Sequence, residues 1–180
     1  MCGITGITCW NGKKISASEI IRMNNSLRHR GPDDEGFLLI NDEQKIIAFG
    51  NDTPSEVKES RLHFAPSEHI EKNNSSFEIL FGHRRLSIID TSASGHQPMS
   101  LPDVDLWITY NGEIYNYKEL RATLQAKGIE FNTESDTEVI LRYYQAFGSE
   151  CVQHFNGMWS FVIYDGRKNE LLESYLEPLP

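Results

Sequence analysis

The residue best suited to chemistry in this sequence is Cys2, which directly follows the initiator Met1. Because Cys2 is small and a glycine follows it, we expect Met1 to be removed. The new chain end would carry both a thiol and a free α-amine, groups with reference pKa values of about 8.5 and about 7.7–8.0. Such an amine can accept the thiol proton, so an N-terminal cysteine supplies nucleophile and base together. Taken alone, a cysteine at position 2 is usually incidental.

The other two cysteines, Cys9 and Cys151, are interpreted as small buried apolar residues. Three scattered cysteines without a C-x-x-C pair do not predict a disulfide framework. No His–Cys spacing is typical of a zinc site, so no metal is predicted.

The length and net charge of the chain limit the classes of protein to which it can belong. The 180 residues suit one domain, and the net charge of −9 argues against nucleic acid as a partner. No run of about 18 apolar residues exists, so no membrane span is expected. The N-terminus lacks a secretory signal pattern, which makes a cytoplasmic location the expectation.

The elements that would position Cys2 begin with a strand over residues 2–10, ended by the turn signal Asn11-Gly12. A helix N-capped by Ser18 should follow and stop at Gly31-Pro32. Residues 50–76 are polar and irregular and predict a surface excursion with one short helix. Further strands are predicted at 37–40, 46–49, 77–81 and 85–89.

The second half of the chain predicts a strand over 106–110, with Asn111-Gly112 as a type I′ hairpin turn. A helix over 117–127 should end at Gly128. The S-x-x-E pattern of 135–138 is typical of a capping box that opens another helix, closed by Gly148. A buried strand over 158–164 and a turn at Asp165-Gly166 come next, and 173–180 show no helix or strand period. This order favours an α+β fold with antiparallel sheets.

Seven segments follow one another in order: MCGITGI (1–7), RHRGPDDEG (28–36), GHRRLSIID (82–90), GHQPM (95–99), YNGEIYNYKELR (110–121), SDTEVIL (135–141) and FNGMWSFVIYD (155–165). Together they resemble the N-terminal glutaminase domain of class II amidotransferases, above all in the asparagine synthetase family. Any one segment alone would be a weak signal. The resemblance implies an N-terminal-nucleophile hydrolase fold, a four-layer αββα sandwich of antiparallel sheets over 2–172 with a surface excursion at about 41–77.

The resemblance assigns catalysis to three residues. Cys2 would be the nucleophile that attacks the side-chain amide of glutamine, giving glutamate and ammonia. The side-chain amide of Asn111 and the backbone N–H of Gly112 would stabilise the oxyanion. For Asn111-Gly112 the plain hairpin turn remains compatible with this role, because a turn can present an N–H.

The resemblance also implies a glutamine pocket. Arg85 would bind the α-carboxylate with its guanidinium, while Arg84 should point elsewhere on a strand. The other interpretation of Arg85 is a surface ion pair, worth little. Asp136, with Glu113 beside it, would bind the α-ammonium, although a residue in the first turn of a helix can simply cap it. Backbone groups of three more residues would add contacts: Leu86, Ser87 and Ile88.

Two further features carry less chemistry. The segment RHRGPD is expected to be a helix C-terminus followed by a turn, and it could also brace the nucleophile strand. His83 and His96 are interpreted as structural, because the family uses no histidine base.

The sequence departs from the family after about residue 169. It also contains neither the SGGxDS pyrophosphate loop of the synthetase domain nor a P-loop. We therefore expect a C-terminally truncated glutaminase domain that lacks its last strands and its synthetase domain, with 173–180 as an atypical tail. L-glutamine is the expected ligand and a synthetase domain the expected partner. No cofactor is implied for this domain, and ATP and Mg²⁺ belong to the synthetase domain.

Two alternatives stay open. The chain could be a non-catalytic remnant that binds glutamine or a partner, or it could be the glutaminase half of another class II amidotransferase. The segment NGEIYNYKELR favours the asparagine synthetase branch.

Overall fold

Two units, residues 1–98 and 99–180, make up the chain in its computed structural model. The structure describes residues 2–9, 11–87 and 92–176. Within these ranges, no helix is both long and apolar enough to cross a membrane.

The first unit is built around a five-stranded sheet with the order β1-β7-β3-β4-β5, and β2 and β6 pair separately. All its neighbours are antiparallel except β4 and β5, which run parallel at one edge. The antiparallel prediction therefore fails only for this short pair. The strands are β1 (Gly3–Thr8), β2 (Ile15–Ser16), β3 (Asp34–Ile40), β4 (Lys45–Phe49), β5 (Glu68–His69), β6 (Ser76–Phe77) and β7 (Ile79–Arg85).

The strand β7 lies between β1 and β3, and all seven of its residues are buried. Two strands were predicted here, at 77–81 and 85–89. The structure instead continues one strand through Gly82, which pairs with both neighbouring strands. The register sets Gly3 opposite Arg84 and Asp34 opposite Arg85. The end of β7 thus adjoins the starts of β1 and β3. Residues 88–89 lie outside the described residues.

The helix α1 (Ala17–Ser26) contributes Ala17 and Ile20 to the apolar core of this unit. Phe37 and Leu80 belong to the same core cluster. Burying a side chain such as Ile20 stabilises the fold by about 1.5–3 kcal/mol. The N-cap residue is Ser16 and not the predicted Ser18, because the helix begins two residues earlier and the two serine hydroxyls bond to each other at 2.7 Å.

Residues 50–76 are irregular, with one short helix, α2 (Ser55–Lys58), and a 3₁₀ turn over Ile70–Lys72. The burial of several side chains in this segment does not fit the predicted surface excursion. Apolar side chains along them, such as Val57, Phe64 and Ile70, are 1–2% exposed. The segment therefore contributes to the core.

The second unit holds a four-stranded antiparallel sheet in the order β11-β10-β9-β8. The helices predicted before Gly128 and Gly148 are confirmed, and both glycines have positive φ (+83° and +60°). Apolar residues of α4 and of the sheet form a buried core. The elements are β8 (Met99–Leu101), β9 (Val104–Ile114), α3 (Tyr117–Gln125), α4 (Asp136–Phe147), a 3₁₀ helix (Gly148–His154), β10 (Gly157–Asp165) and β11 (Glu170–Leu176).

Two predictions for the second unit are wrong. Asn111-Gly112 is not a hairpin turn, because β9 runs straight through it and pairs there with Ser160 and Trp159 of β10. Gly112 instead allows the backbones of β9 and β10 to approach closely, since a Cβ at this position would collide with the backbone of β10. Residues 173–176, expected to lack regular structure, complete β11 against β10.

Candidate active site

The thiol of Cys2 lies against the backbone at the end of β7. The N–H of Leu86 points at Sγ of Cys2 at 3.4 Å, and Sγ lies 3.8 Å from the Leu86 carbonyl oxygen. The Cys2 side chain is half-buried. The structure therefore brings Cys2 together with Leu86, which directly follows Arg85.

The segment RHRGPD braces this arrangement from two sides. Nε of Arg30 donates to the Cys2 carbonyl oxygen at 3.1 Å. Asp33 donates its backbone N–H to the Arg85 carbonyl oxygen at 3.1 Å, and its carboxylate accepts from the backbone N–H of Ser87 at 2.8 Å. These hydrogen bonds join Cys2, directly before β1, and the residues after β7 to one turn.

Arg85 is the last residue of β7 and is only 7% exposed. Its Nη1 donates to the Ser92 carbonyl oxygen at 2.8 Å. The interpretation of Arg85 as a surface ion pair is therefore wrong, because the guanidinium is buried. Ile88, the last of the predicted backbone contacts, lies outside the described residues.

The adjacent Arg84 is fully buried and points to the other face of the sheet, as strand alternation predicts. Its guanidinium lies 2.9 Å from Glu35 and 2.7 Å from Asp52, and it also donates to the Asn25 side chain at 2.7 Å. Arg84 is therefore a structural residue, which leaves Arg85 as the arginine of this pair near Cys2.

Three further predicted site residues lie on β9 in the second unit: Asn111, Gly112 and Glu113. Asn111 is half-buried, while Gly112 and Glu113 are exposed. The N–H of Ile114 donates to Oδ2 of Asp136 at 3.2 Å, away from β10. Because backbone N–H groups along a strand alternate in direction, the N–H of Gly112 points to the same edge. The Gly112 N–H is thereby oriented away from the ladder with β10.

Asp136 is the first residue of α4, and the N-cap is Ser135, whose side chain accepts from the Thr137 N–H at 3.1 Å. Oδ2 of Asp136 also accepts from the Tyr110 hydroxyl at 2.7 Å. Burial raises the pKa of the Asp136 carboxyl above its ordinary value, although the hydrogen bonds from Tyr110 and Ile114 oppose the shift. The structure brings Asp136 to the edge of β9 that carries Gly112.

We expect the stability contributed by Asp136 to depend on pH. Because the pKa is raised on folding, the contribution is full below about pH 3.9, the unfolded value, and is lost as pH rises through the folded value. The free energy of unfolding of Asp136→Asn, minus that of wild type, should therefore increase upward from about pH 4 and then level off. Urea unfolding at several pH values measures this. The exposed Asp103→Asn is the control, and an equal slope for both variants would contradict the assignment.

Sequence reasoning missed several partners of the site. Glu138 does not complete a reciprocal capping box, because its carboxylate accepts from the backbone N–H groups of Asn132 and Thr133 instead. The Tyr110 hydroxyl that holds Asp136 was not predicted either. The alternation of side chains along β9 could have indicated this contact, because Tyr110, Gly112 and Ile114 project to the same side of the strand.

The remaining thiols are not equivalent to Cys2. Cys151 is fully buried, and burial raises the pKa of its thiol to about 12. Cys9 is half-buried just beyond β1. Among the residues that the structure describes, no group of three or more His, Cys, Asp or Glu side chains could hold a metal ion.

Comparison with known structures supports the fold. A glutamine phosphoribosylpyrophosphate amidotransferase from Bacillus subtilis, solved with ADP and GMP, matches with a TM-score of 0.71 and 21% identity. The match covers 96% of this chain and 36% of that protein. The chain therefore has a mixed α+β fold that resembles part of this amidotransferase.

Sequence comparison identifies the family. Residues 67–174 match the family described as glutamine amidotransferase domain. A putative glutamine-hydrolyzing asparagine synthetase 2 of Methanocaldococcus jannaschii is 38% identical, over 93% of this chain and 28% of its own length. The glutamine-hydrolyzing asparagine synthetase 1 of Bacillus subtilis is 36% identical, over 92% of this chain and 21% of its own length. The chain thus spans less than a third of these relatives.

The fold and the family match define the class of the protein. The chain belongs to the class II glutamine amidotransferase domains. It is homologous to the asparagine synthetases named above.

Proposed function

We propose that the chain hydrolyses L-glutamine to glutamate and ammonia with Cys2 as nucleophile. One observation carries the proposal: the Cys2 thiol lies against the backbone N–H of Leu86, beside the buried Arg85. The thiol thus contacts the residue that directly follows a buried arginine, whose guanidinium suits a carboxylate. The family match and the names of the relatives agree with this substrate.

The reaction begins after removal of Met1, when the α-amine takes the Cys2 thiol proton. The thiolate attacks the side-chain amide carbon of glutamine and gives a tetrahedral oxyanion. The Asn111 side-chain amide and the Gly112 N–H stabilise this oxyanion by hydrogen bonds. The α-ammonium of Cys2 then protonates the leaving amide nitrogen as the C–N bond breaks, which releases ammonia and leaves the thioester. Water hydrolyses the thioester, which releases glutamate and regenerates the thiol.

Glutamine is recognised at its α-carbon substituents. The Arg85 guanidinium binds the α-carboxylate, and the carboxylates of Asp136 and Glu113 bind the α-ammonium. Backbone groups of Leu86, Ser87 and Ile88 complete the pocket. Asp136 is held ready for this by the Tyr110 hydroxyl and the Ile114 N–H.

In the larger setting, the ammonia feeds an asparagine synthetase-like amidation in a synthetase domain that uses ATP and Mg²⁺, in the cytoplasm. The glutaminase domain itself needs no cofactor. For the fold of the domain we propose the αββα sandwich of the N-terminal-nucleophile hydrolases.

The direct test combines intact-mass measurement with a glutaminase assay on the purified chain. We expect a mass without Met1 and release of glutamate and ammonia in equal amounts. Processed protein that binds glutamine without releasing glutamate would contradict the proposal and identify a non-catalytic remnant. Hydrolysis of other amides at the same rate would contradict the glutamine pocket.

Arg85→Ala should raise KM for glutamine about 10- to 100-fold, because hydrogen bonds to charged groups contribute about 1.5–3 kcal/mol. Arg85→Lys should recover part of the loss, since it keeps the charge but not the bidentate geometry. Steady-state kinetics measure both effects. The exposed Arg22→Ala is the matched control and should leave KM unchanged. A KM for Arg85→Ala within twofold of wild type would remove Arg85 from the pocket.

A further inference from the structure

A buried histidine–carboxylate pair lies beside Arg85 in the first unit. Nδ1 of His96 is 2.8 Å from Oδ2 of Asp34, and the two side chains are 0% and 3% exposed. Oδ1 of Asp34 and Nε2 of His96 have no hydrogen-bond partner among the described residues. Among the described residues, the Asp34 carboxylate is therefore paired with the His96 ring.

Asp34 stands directly opposite Arg85 in the register of β3 and β7. Directly opposed residues of antiparallel strands project to the same face, with Cβ atoms about 4.5–5.5 Å apart. An aspartate at this distance can reach a guanidinium and form a strong charge-assisted pair with it. Both side chains are buried, so water screens their attraction weakly. An Asp34 carboxylate without another partner would therefore compete with a substrate carboxylate for the Arg85 guanidinium.

The segment 92–97 lies against both Arg85 and Asp34. Its Ser92 carbonyl oxygen accepts from Nη1 of Arg85 at 2.8 Å, and a Cβ on Gly95 would collide with Nη2 of Arg85. Its next residue, His96, lies over Gly36 of β3, where a Cβ would stand 2.5 Å from the ring Cε1. The same short segment therefore contacts the Arg85 guanidinium with its backbone and the Asp34 carboxylate with an imidazole.

We propose that His96 is a positioning residue for Arg85, and this rests on the proposed function. By holding the Asp34 carboxylate, the imidazole prevents Asp34 from capturing the guanidinium that binds the α-carboxylate of glutamine. His96 thereby sets KM for glutamine without touching the substrate. Asp34 and His96 are 62 residues apart in sequence, so the pairing exists only in the fold.

The test uses steady-state kinetics of glutamate release by the full chain. His96→Ala should raise KM for glutamine at least about tenfold and leave kcat within about threefold, because Asp34 then pairs with Arg85. Adding Asp34→Asn should return KM to within about threefold of wild type, because a neutral amide competes poorly with a carboxylate substrate. His96→Asn, which keeps a donor near the position of Nδ1, should resemble wild type.

Three outcomes overturn the proposal: an unchanged KM in His96→Ala, a failure of Asp34→Asn to restore KM, or equal losses in His96→Asn and His96→Ala. If His96→Ala unfolds at the assay temperature, His96→Leu replaces it, since leucine fills most of the ring volume and donates no hydrogen bond. Wild-type protein is assayed in parallel. Absence of glutamate release by wild type contradicts the proposed function, whereas an active wild type with an insensitive His96 series contradicts only the role of His96.

Discussion

Cys2→Ala should lower the rate of glutamate release at least about 10⁴-fold, the scale on which loss of a catalytic nucleophile acts. The alanine variant cannot form the thioester, and the pocket alone does not break the amide bond. Because Cys2 lies before the first strand and is half-buried, the fold should be retained, with an unchanged circular dichroism spectrum. The assay is release of glutamate under saturating glutamine.

The chain contains a matched control for this variant. Cys9 lies at the other end of the same strand and is also half-buried. Its backbone N–H donates to the Glu78 carbonyl oxygen at 2.9 Å, a bond that alanine preserves. Cys9→Ala should therefore keep the wild-type rate. Equal losses in both variants, or a wild-type rate in Cys2→Ala, would contradict the assignment of the nucleophile.

Arg84→Met should lower the free energy of unfolding by about 3–5 kcal/mol, because it leaves the Glu35 carboxylate buried without its cation. Glu35 is 4% exposed, and its oxygen lies 2.9 Å from Nη2 of Arg84. The Asp52 carboxylate, at 2.7 Å from Nη1, loses the same partner. Since a domain has only about 5–15 kcal/mol of net stability, this loss is severe. Urea unfolding followed by fluorescence measures it.

Two further variants separate burial from charge. Arg28 binds the same Asp52 at 2.7 Å from the surface, with a side chain 65% exposed. Arg28→Ala should cost less than about 1 kcal/mol, because solvent screens exposed pairs. Arg84→Met combined with Glu35→Gln should recover part of the loss, since a neutral amide needs no cation. Similar costs for Arg28 and Arg84 would show that burial does not determine the value of the pair.

Local signals predicted the elements that depend on local interactions. The helices that end at Gly128 and Gly148 followed from glycine at the position where the chain needs positive φ. The prediction of a hairpin turn at Asn111-Gly112 was wrong because the same dipeptide suits both a turn and a close approach of two strands. Its pairing residues in β10, Trp159 and Ser160, lie almost fifty positions further along the chain. Nothing within the local window indicates that partner.

The site residues came mainly from the resemblance, and their surroundings did not. Strand alternation correctly separated Arg84 from Arg85. The pairing of His96 with Asp34 could not be predicted, because it depends on which strands become neighbours. The Tyr110–Asp136 hydrogen bond joins a strand to a helix N-terminus 26 residues away. Such contacts are products of the assembled sheet.

The burial of Cys151 has a practical consequence for counting competent molecules. Burial raises the pKa of this thiol to about 12 and shields the sulfur, so an alkylating dye at pH 8 should not modify it in folded protein. In Cys9→Ala protein, incorporation of a thiol-specific dye then reports one accessible thiol per chain, that of Cys2. The stoichiometry of labelling then counts the Cys2 thiols of folded protein, and together with the intact-mass fraction that lacks Met1 it lets turnover be expressed per processed chain and not per milligram of protein.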